Sequence, residues 1–142
     1  VAYSNDIDEV TEAMVVALRE ASYTFTMKKV YYGDEEHHPA NPSSAVTISL
    51  ESELEGTNYR MVHTFNGTIV VFHSGLGGNE ISRKKCNQQA QEVSDLIHKN
   101  TLGGILVASW VSGFSPGYSA RDENTVMKST AIEWRGRSIT YG

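Results

Sequence analysis

Cysteine is nearly absent: Cys86 stands alone in 142 residues. A lone cysteine excludes an internal disulfide, so packing must hold the fold, and cysteine content gives no sign of an oxidising compartment. Long apolar runs are missing too. The longest such stretches, Thr68 to Phe72 and Gly104 to Val111, fall far short of the roughly 18 residues that cross a bilayer as a helix. Positive charge is outnumbered, 12 basic against 17 acidic side chains, for a formal charge of −5. That balance argues against nucleic acid as the main partner, because a phosphate backbone selects a basic face. Repeats, linkers and low-complexity tracts are lacking, and the length suits one domain over residues 1–142 that buries roughly two-thirds of its unfolded surface. The chain starts at Val1 rather than methionine, which fits removal of a leader, a pro-segment or a tag.

What is present divides into periodic segments. Ile7, Val10, Met14, Ala17, Leu18 and Ala21 recur at helical spacing, with Asp8, Glu9, Glu12 and Arg19 opposite. Ser4, Asn5 and Asp6 signal the start of this helix, and Asp6 with Glu9 is spaced as a capping box. From Tyr23 onward apolar and polar residues alternate, which predicts a strand over 23–32. Residues 33–44 carry Pro39 and Pro42 and read as an exposed loop, and Val46, Ile48 and Leu50 resume the alternation. Asn66-Gly67 between two alternating runs predicts a type I′ hairpin. In that register His63 pairs with Val70 and Met61 with Phe72, and His63 and His73 point to opposite faces.

A second helix is expected from near Ser82 to near Asn100, with Cys86, Ala90, Val93, Leu96 and Ile97 on its inward stripe. An apolar strand over 103–113, a loop over 114–125 and a last strand around Ser129 to Trp134 complete the order. These elements define an α+β fold: a two-layer α/β sandwich, with two helices on one face of a mainly antiparallel sheet of five to six strands. Strand, helix and strand from Val70 to Leu106 could set two strands parallel.

The candidate chemistry is dispersed. His37 and His38, with Asp34, Glu35 and Glu36, are the densest group of potential metal ligands, but neighbouring side chains in an extended loop diverge, and a solvated acidic loop fits better. His63 or His73 with Glu51 or Glu133, and Arg60, could serve a hydrolase of nuclease type as acid, base and anion contact. Gly75-Leu76-Gly77-Gly78 before a helix lacks the spacing of a phosphate-binding loop and reads as a turn. Arg83, Lys84 and Lys85 oppose the dipole of the helix they open, which marks them as binding candidates against a plain solvated first turn. Trp110, Trp134, Phe114, Tyr118 and Tyr141 could form a stacking surface; Trp110 reads as core, and Trp134, set between charges, as the exposed member. Asn66-Gly67-Thr68 is a formal glycosylation acceptor. No cofactor is implied.

Cys86, Gln88, Gln89 and Ala90, the helix to Asn100, and then Gly103, Gly104, Trp110 and Gly113 make a stretch over 75–115 that resembles small secreted fungal proteins of killer-toxin-like or condition-specific-secretion type. The family's second cysteine is replaced here by Leu106, Val107 or Ala108, so packing would stand in for the crosslink. The resemblance implies a secreted, extracellular protein that acts by binding a cell surface, a membrane or a protein target, without a fixed catalytic set. A secreted hydrolase and a glycan-binding module are the alternatives.

Overall fold

The computed structural model describes residues 6–32, 44–56, 60–76, 78–122 and 125–141. The first helix, α1, spans Ile7–Glu20. Asp6 is its cap, and the Asp6 carboxylate accepts a hydrogen bond from the Asp8 amide at 2.9 Å, satisfying a donor that the helix itself leaves unpaired. Val10, Met14 and Leu18 are buried along the expected stripe. The next segment keeps its alternation without becoming a strand. Tyr23, Phe25 and Met27 are half-buried and Thr24, Thr26 and Lys28 exposed, yet only Lys29–Tyr31 finds a ladder partner and forms β1. The expected strand over 23–32 is thus mostly an extended connection. Tyr23 ties it to α1 by donating its hydroxyl to the Leu18 carbonyl at 2.5 Å, and burial, with Glu92 nearby, pushes this phenol up to about 12.

Four long strands follow: β2 at Ser44–Gly56, β3 at Arg60–Leu76, and, after the second helix α2 at Asn79–Ile97, β4 at Ala108–Asp122 and β5 at Thr125–Tyr141. The sheet order is β1-β2-β3-β5-β4. Only the β1–β2 pair is parallel; the other three pairs are antiparallel. The chain is therefore α+β, with two helices and a mainly antiparallel sheet of five strands. Because β3 and β4 both run antiparallel to β5, they point the same way with β5 between them. The strand, helix and strand passage is parallel as expected, but split by one strand.

The expected hairpin at Asn66-Gly67 does not form. β3 runs straight through the pair, with Asn66 between Glu51 and Arg135 and Gly67 between Leu50 and Trp134. The physical reason lies in the neighbours. A straight β3 puts Phe65, Ile69 and Val71, all fully buried, on one face beside Ile48, Ile132 and Trp134, and each such burial contributes roughly 1.5 to 3 kcal/mol. A local turn preference of about 1 kcal/mol cannot compete with that ladder. Residues 114–122, expected as loop, lie in β4 for the same reason: β5 supplies a partner, and irregularities between Val111 and Gly113 and between Pro116 and Ser119 absorb the glycines and the proline.

Buried residues of α1, α2 and the Phe65 face of the sheet form one core cluster. Within α2, Cys86, Ala90, Val93 and Ile97 point inward, as the periodicity predicts. The helix ends slightly early, at Ile97, and the left-handed residue is Lys99 (φ 61°) rather than Asn100. Asn100 works through its side chain, donating to the Leu96 carbonyl at 3.0 Å and accepting from the Leu102 amide at 2.9 Å.

Candidate functional site

An α-helix turns about 100° per residue, and that geometry separates Arg83, Lys84 and Lys85. Lys84 points to solvent and pairs with Glu80 at 3.1 Å. Lys85 lines a cleft of about 380 Å³ on one flank of α2, and Arg83 lines a groove of about 540 Å³ on the other. The three cations do not form one patch.

The Lys85 cleft holds His73. This histidine is 8% exposed, and its Nδ1 lies 3.2 Å from the Gln89 amide nitrogen. Thr24, Phe25, Thr26, Gln88 and Glu92 also line it. Glu92 is committed to structure: its two carboxylate oxygens accept from the Thr24 amide at 3.0 Å and the Thr24 hydroxyl at 2.5 Å. His63 and His73 share the inward face of β3, a correction to the hairpin register that set them on opposite faces. Ten residues of strand keep them roughly 33 Å apart, so they still cannot act on one substrate. Glu51 and Glu133 are exposed on the other face, where Glu133 accepts from the Thr68 hydroxyl at 3.3 Å. The sheet thus stands between both candidate carboxylates and both histidines.

Trp134 is a second correction. At 1% exposure it is the largest fully buried side chain, because the even-numbered positions of β5 face inward with Ile132. A stacking role for a solvent-facing Trp134 does not survive this register. Its counterpart is Trp110, expected in the core, which lies on the outer face and carries the Arg137 guanidinium 5.8 Å from its ring centroid. Asn66 is half-buried on the same outer face, in the row Glu51, Asn66, Arg135 and Trp110. His37 and His38, with their acidic neighbours, lie outside the described residues, as do the side chains of Arg60, Tyr118 and Tyr141. Among the described residues no group of three or more His, Cys, Asp or Glu could hold a metal ion.

The Arg83 groove is the better-built surface. Arg83, Asn87 and Gln91 stand one turn apart on α2 and face Phe114 and Pro116 of β4 across Thr130. Arg83 is oriented by the sheet: its Nη1 donates to the Ser129 carbonyl at 2.6 Å and the Thr130 hydroxyl at 3.1 Å. The Thr130 hydroxyl in turn donates to the Asn87 side-chain oxygen at 2.9 Å, so the Asn87 amide group is left as a donor. Cys86 closes the network from below, its sulfur 3.4 Å from the Thr130 hydroxyl and 3.5 Å from the Val71 carbonyl. Burial pushes the Cys86 thiol up, against the opposing pull of the Thr130 hydrogen bond and of Arg83, so at neutral pH it is a protonated core group rather than a nucleophile. Beside these polar groups Phe114 is 46% exposed, although its partner on β5, Ile132, is fully buried. Sequence reading singled out Arg83 and Phe114 separately; Asn87 and Gln91 were legible only as the i+4 and i+8 positions of Arg83's own stripe.

No protein-family model matches this chain, and no curated protein matches it.

Proposed function

We propose that this protein is a two-layer α/β sandwich, both helices against one face of the sheet, that works by binding a protein target through the groove between α2 and β4, without catalysis. The observation that carries the reading is Phe114: a large apolar side chain on the helix-facing side of an edge strand, 46% exposed. The buried stripe of α2 covers β3 and β5 and meets β4 at its start, where the Ser109 hydroxyl donates to the Ile97 carbonyl, while farther along β4 Phe114 and Pro116 are exposed beside a polar rim of Arg83, Asn87 and Gln91. An apolar centre with a polar rim is the usual anatomy of a protein contact surface. The resemblance to killer-toxin-like proteins supports the same reading and adds an extracellular setting.

The test is a binding assay on microbial cell walls and membranes, paired with growth inhibition of the same cells. Wild type should bind, and Phe114→Asp should lose at least tenfold in affinity while unfolding at the same denaturant concentration, since Phe114 is half-exposed. Equal binding by wild type and variant, or none by wild type, would sink this reading.

A further inference from the structure

The outer edge of β4 is selectively open. Among the described residues β4 pairs with β5 on one side only. At its start the other side is capped: the Ser109 carbonyl accepts from the Lys99 amide at 3.1 Å, and the Val111 amide donates to His98 Nδ1 at 3.0 Å. Main-chain groups of Ser109 and Val111 therefore point away from β5. Their partners in β5, Gly136 and Trp134, continue in steps of two to Ile132 and Thr130, which face Phe114 and Pro116 beyond the irregularity. The alternation of an antiparallel ladder then directs the Phe114 N–H and C=O, and the Pro116 C=O, outward as well. The loop after α2 does not reach that far. Pro116, which has no N–H, limits the open stretch at its far end.

We propose that the occupant of the groove is a short extended peptide segment of a partner protein, added antiparallel to β4 as a further strand, with a glutamate seated on Arg83. The inference rests on the binding reading above and names the partner's chemistry. Strand addition supplies main-chain bonds at Phe114 and Pro116, and the side chains on the groove face supply selectivity. A peptide residue opposite Phe114 exchanges both bonds with it and packs an apolar side chain on the ring. Two residues earlier in the peptide, the side chain opposite Pro116 lies toward Thr130 and Arg83. Charge complementarity with Arg83 selects an acid there, and among the described residues no carboxylate lines the groove. The Arg83 Nε and Nη2 hydrogens and the Asn87 amide make no hydrogen bond among the described residues, and both residues line the groove. An added strand stands roughly 10 Å from β5, two strand spacings, so glutamate reaches Arg83 and aspartate falls short. The expected motif is Glu-x-Φ, with Φ apolar.

A displayed library of random octapeptides, selected on the full chain, tests this. Enrichment of Glu-x-Φ is expected. A synthetic peptide of that class should lose roughly tenfold in affinity on Arg83→Glu, and selection on Arg83→Glu should exchange the acid for Lys or Arg. Arg83→Lys, which keeps the charge, should retain the preference and guards against a variant that misfolds. N-methylation of the peptide at Φ should abolish binding, while methylation of the residue before it should not, the alternation expected of an added strand. Enriched peptides without an acidic preference, or a methylation scan without alternation, would overturn the inference and leave the groove reading standing. Peptides insensitive to Phe114→Asp would overturn the choice of site, and an empty selection would overturn the peptide occupant, with the groove then judged by the cell-binding assay alone.

Discussion

Gly136 shows how a single position carries the packing of the sheet. A Cβ built there would come 2.5 Å from Trp134 Cη2, 2.8 Å from Cζ2 and 3.2 Å from Leu106 Cδ1. The indole lies along its own strand, over the residue two places on, and beside Gly67 of β3. Gly136→Ala should therefore cost about 1 to 3 kcal/mol, as overpacking of a filled core does, and chemical denaturation would measure it; an unchanged midpoint would mean that the indole sits elsewhere. The Trp134 indole N–H has no hydrogen-bond partner among the described residues, so this burial is held by apolar contact and shape rather than by its polar atom. Nothing in Glu133-Trp134-Arg135-Gly136-Arg137 revealed that, because alternating charges flank a buried residue as readily as an exposed one. Only the face shared with Ile132 distinguishes the two cases.

At the scale of elements, helices were more legible than strands. The stripe of α1 and that of α2 depend on contacts within one turn of the chain, and the spacing places the centre of each, Val10, Met14 and Leu18 in α1 and Cys86, Ala90, Val93 and Ile97 in α2, while Thr11 and Val15 are buried beyond it and Leu96 is only half-buried. The end of α2 was less so. Lys99 takes the left-handed conformation with φ 61° and is exposed, a shape that costs a side chain about 1 kcal/mol and glycine almost nothing. Lys99→Gly should raise stability by about 1 kcal/mol, read as a shift in melting temperature, with its amide still bonded to the Ser109 carbonyl. A loss of stability would show that the lysine side chain contributes more than its backbone costs. Strands failed where pairing was distant: Asn66-Gly67 carries the strongest turn signal of the chain and sits in mid-strand, whereas Tyr23 to Lys28 alternates faultlessly and forms no strand among the described residues.

For the whole molecule, the sheet order predicts where stability resides. β3 and β5 each have a strand on both sides and, of the strands, hold the most fully buried apolar side chains, while β1 is three residues long and lies at an edge. Amide hydrogen exchange should be slowest in the middle of β3 and β5, faster in β4 beyond Val111, and fastest of the strands in β1. Equal protection of β1 and β3 would contradict the order. The same arrangement creates the groove, because an edge strand on the far side of β5 extends past the cover that α2 provides.

The amino-acid sequence by itself determined the class of fold, the two amphipathic helices with their inward faces, and the inward place of Cys86, since these rest on composition and on periodicities of a few residues. Tertiary structure alone decided that β3 runs through Asn66-Gly67, that Trp134 is buried while Trp110 is half-buried on the outer face, and that Arg83 meets Phe114 while Lys84 and Lys85 turn elsewhere. The reason is one of range. Side-chain direction in a strand follows from register, and register is set by partners that lie, between β3 and β5, from 49 (Leu76 and Thr125) to 81 (Arg60 and Tyr141) residues apart along the chain.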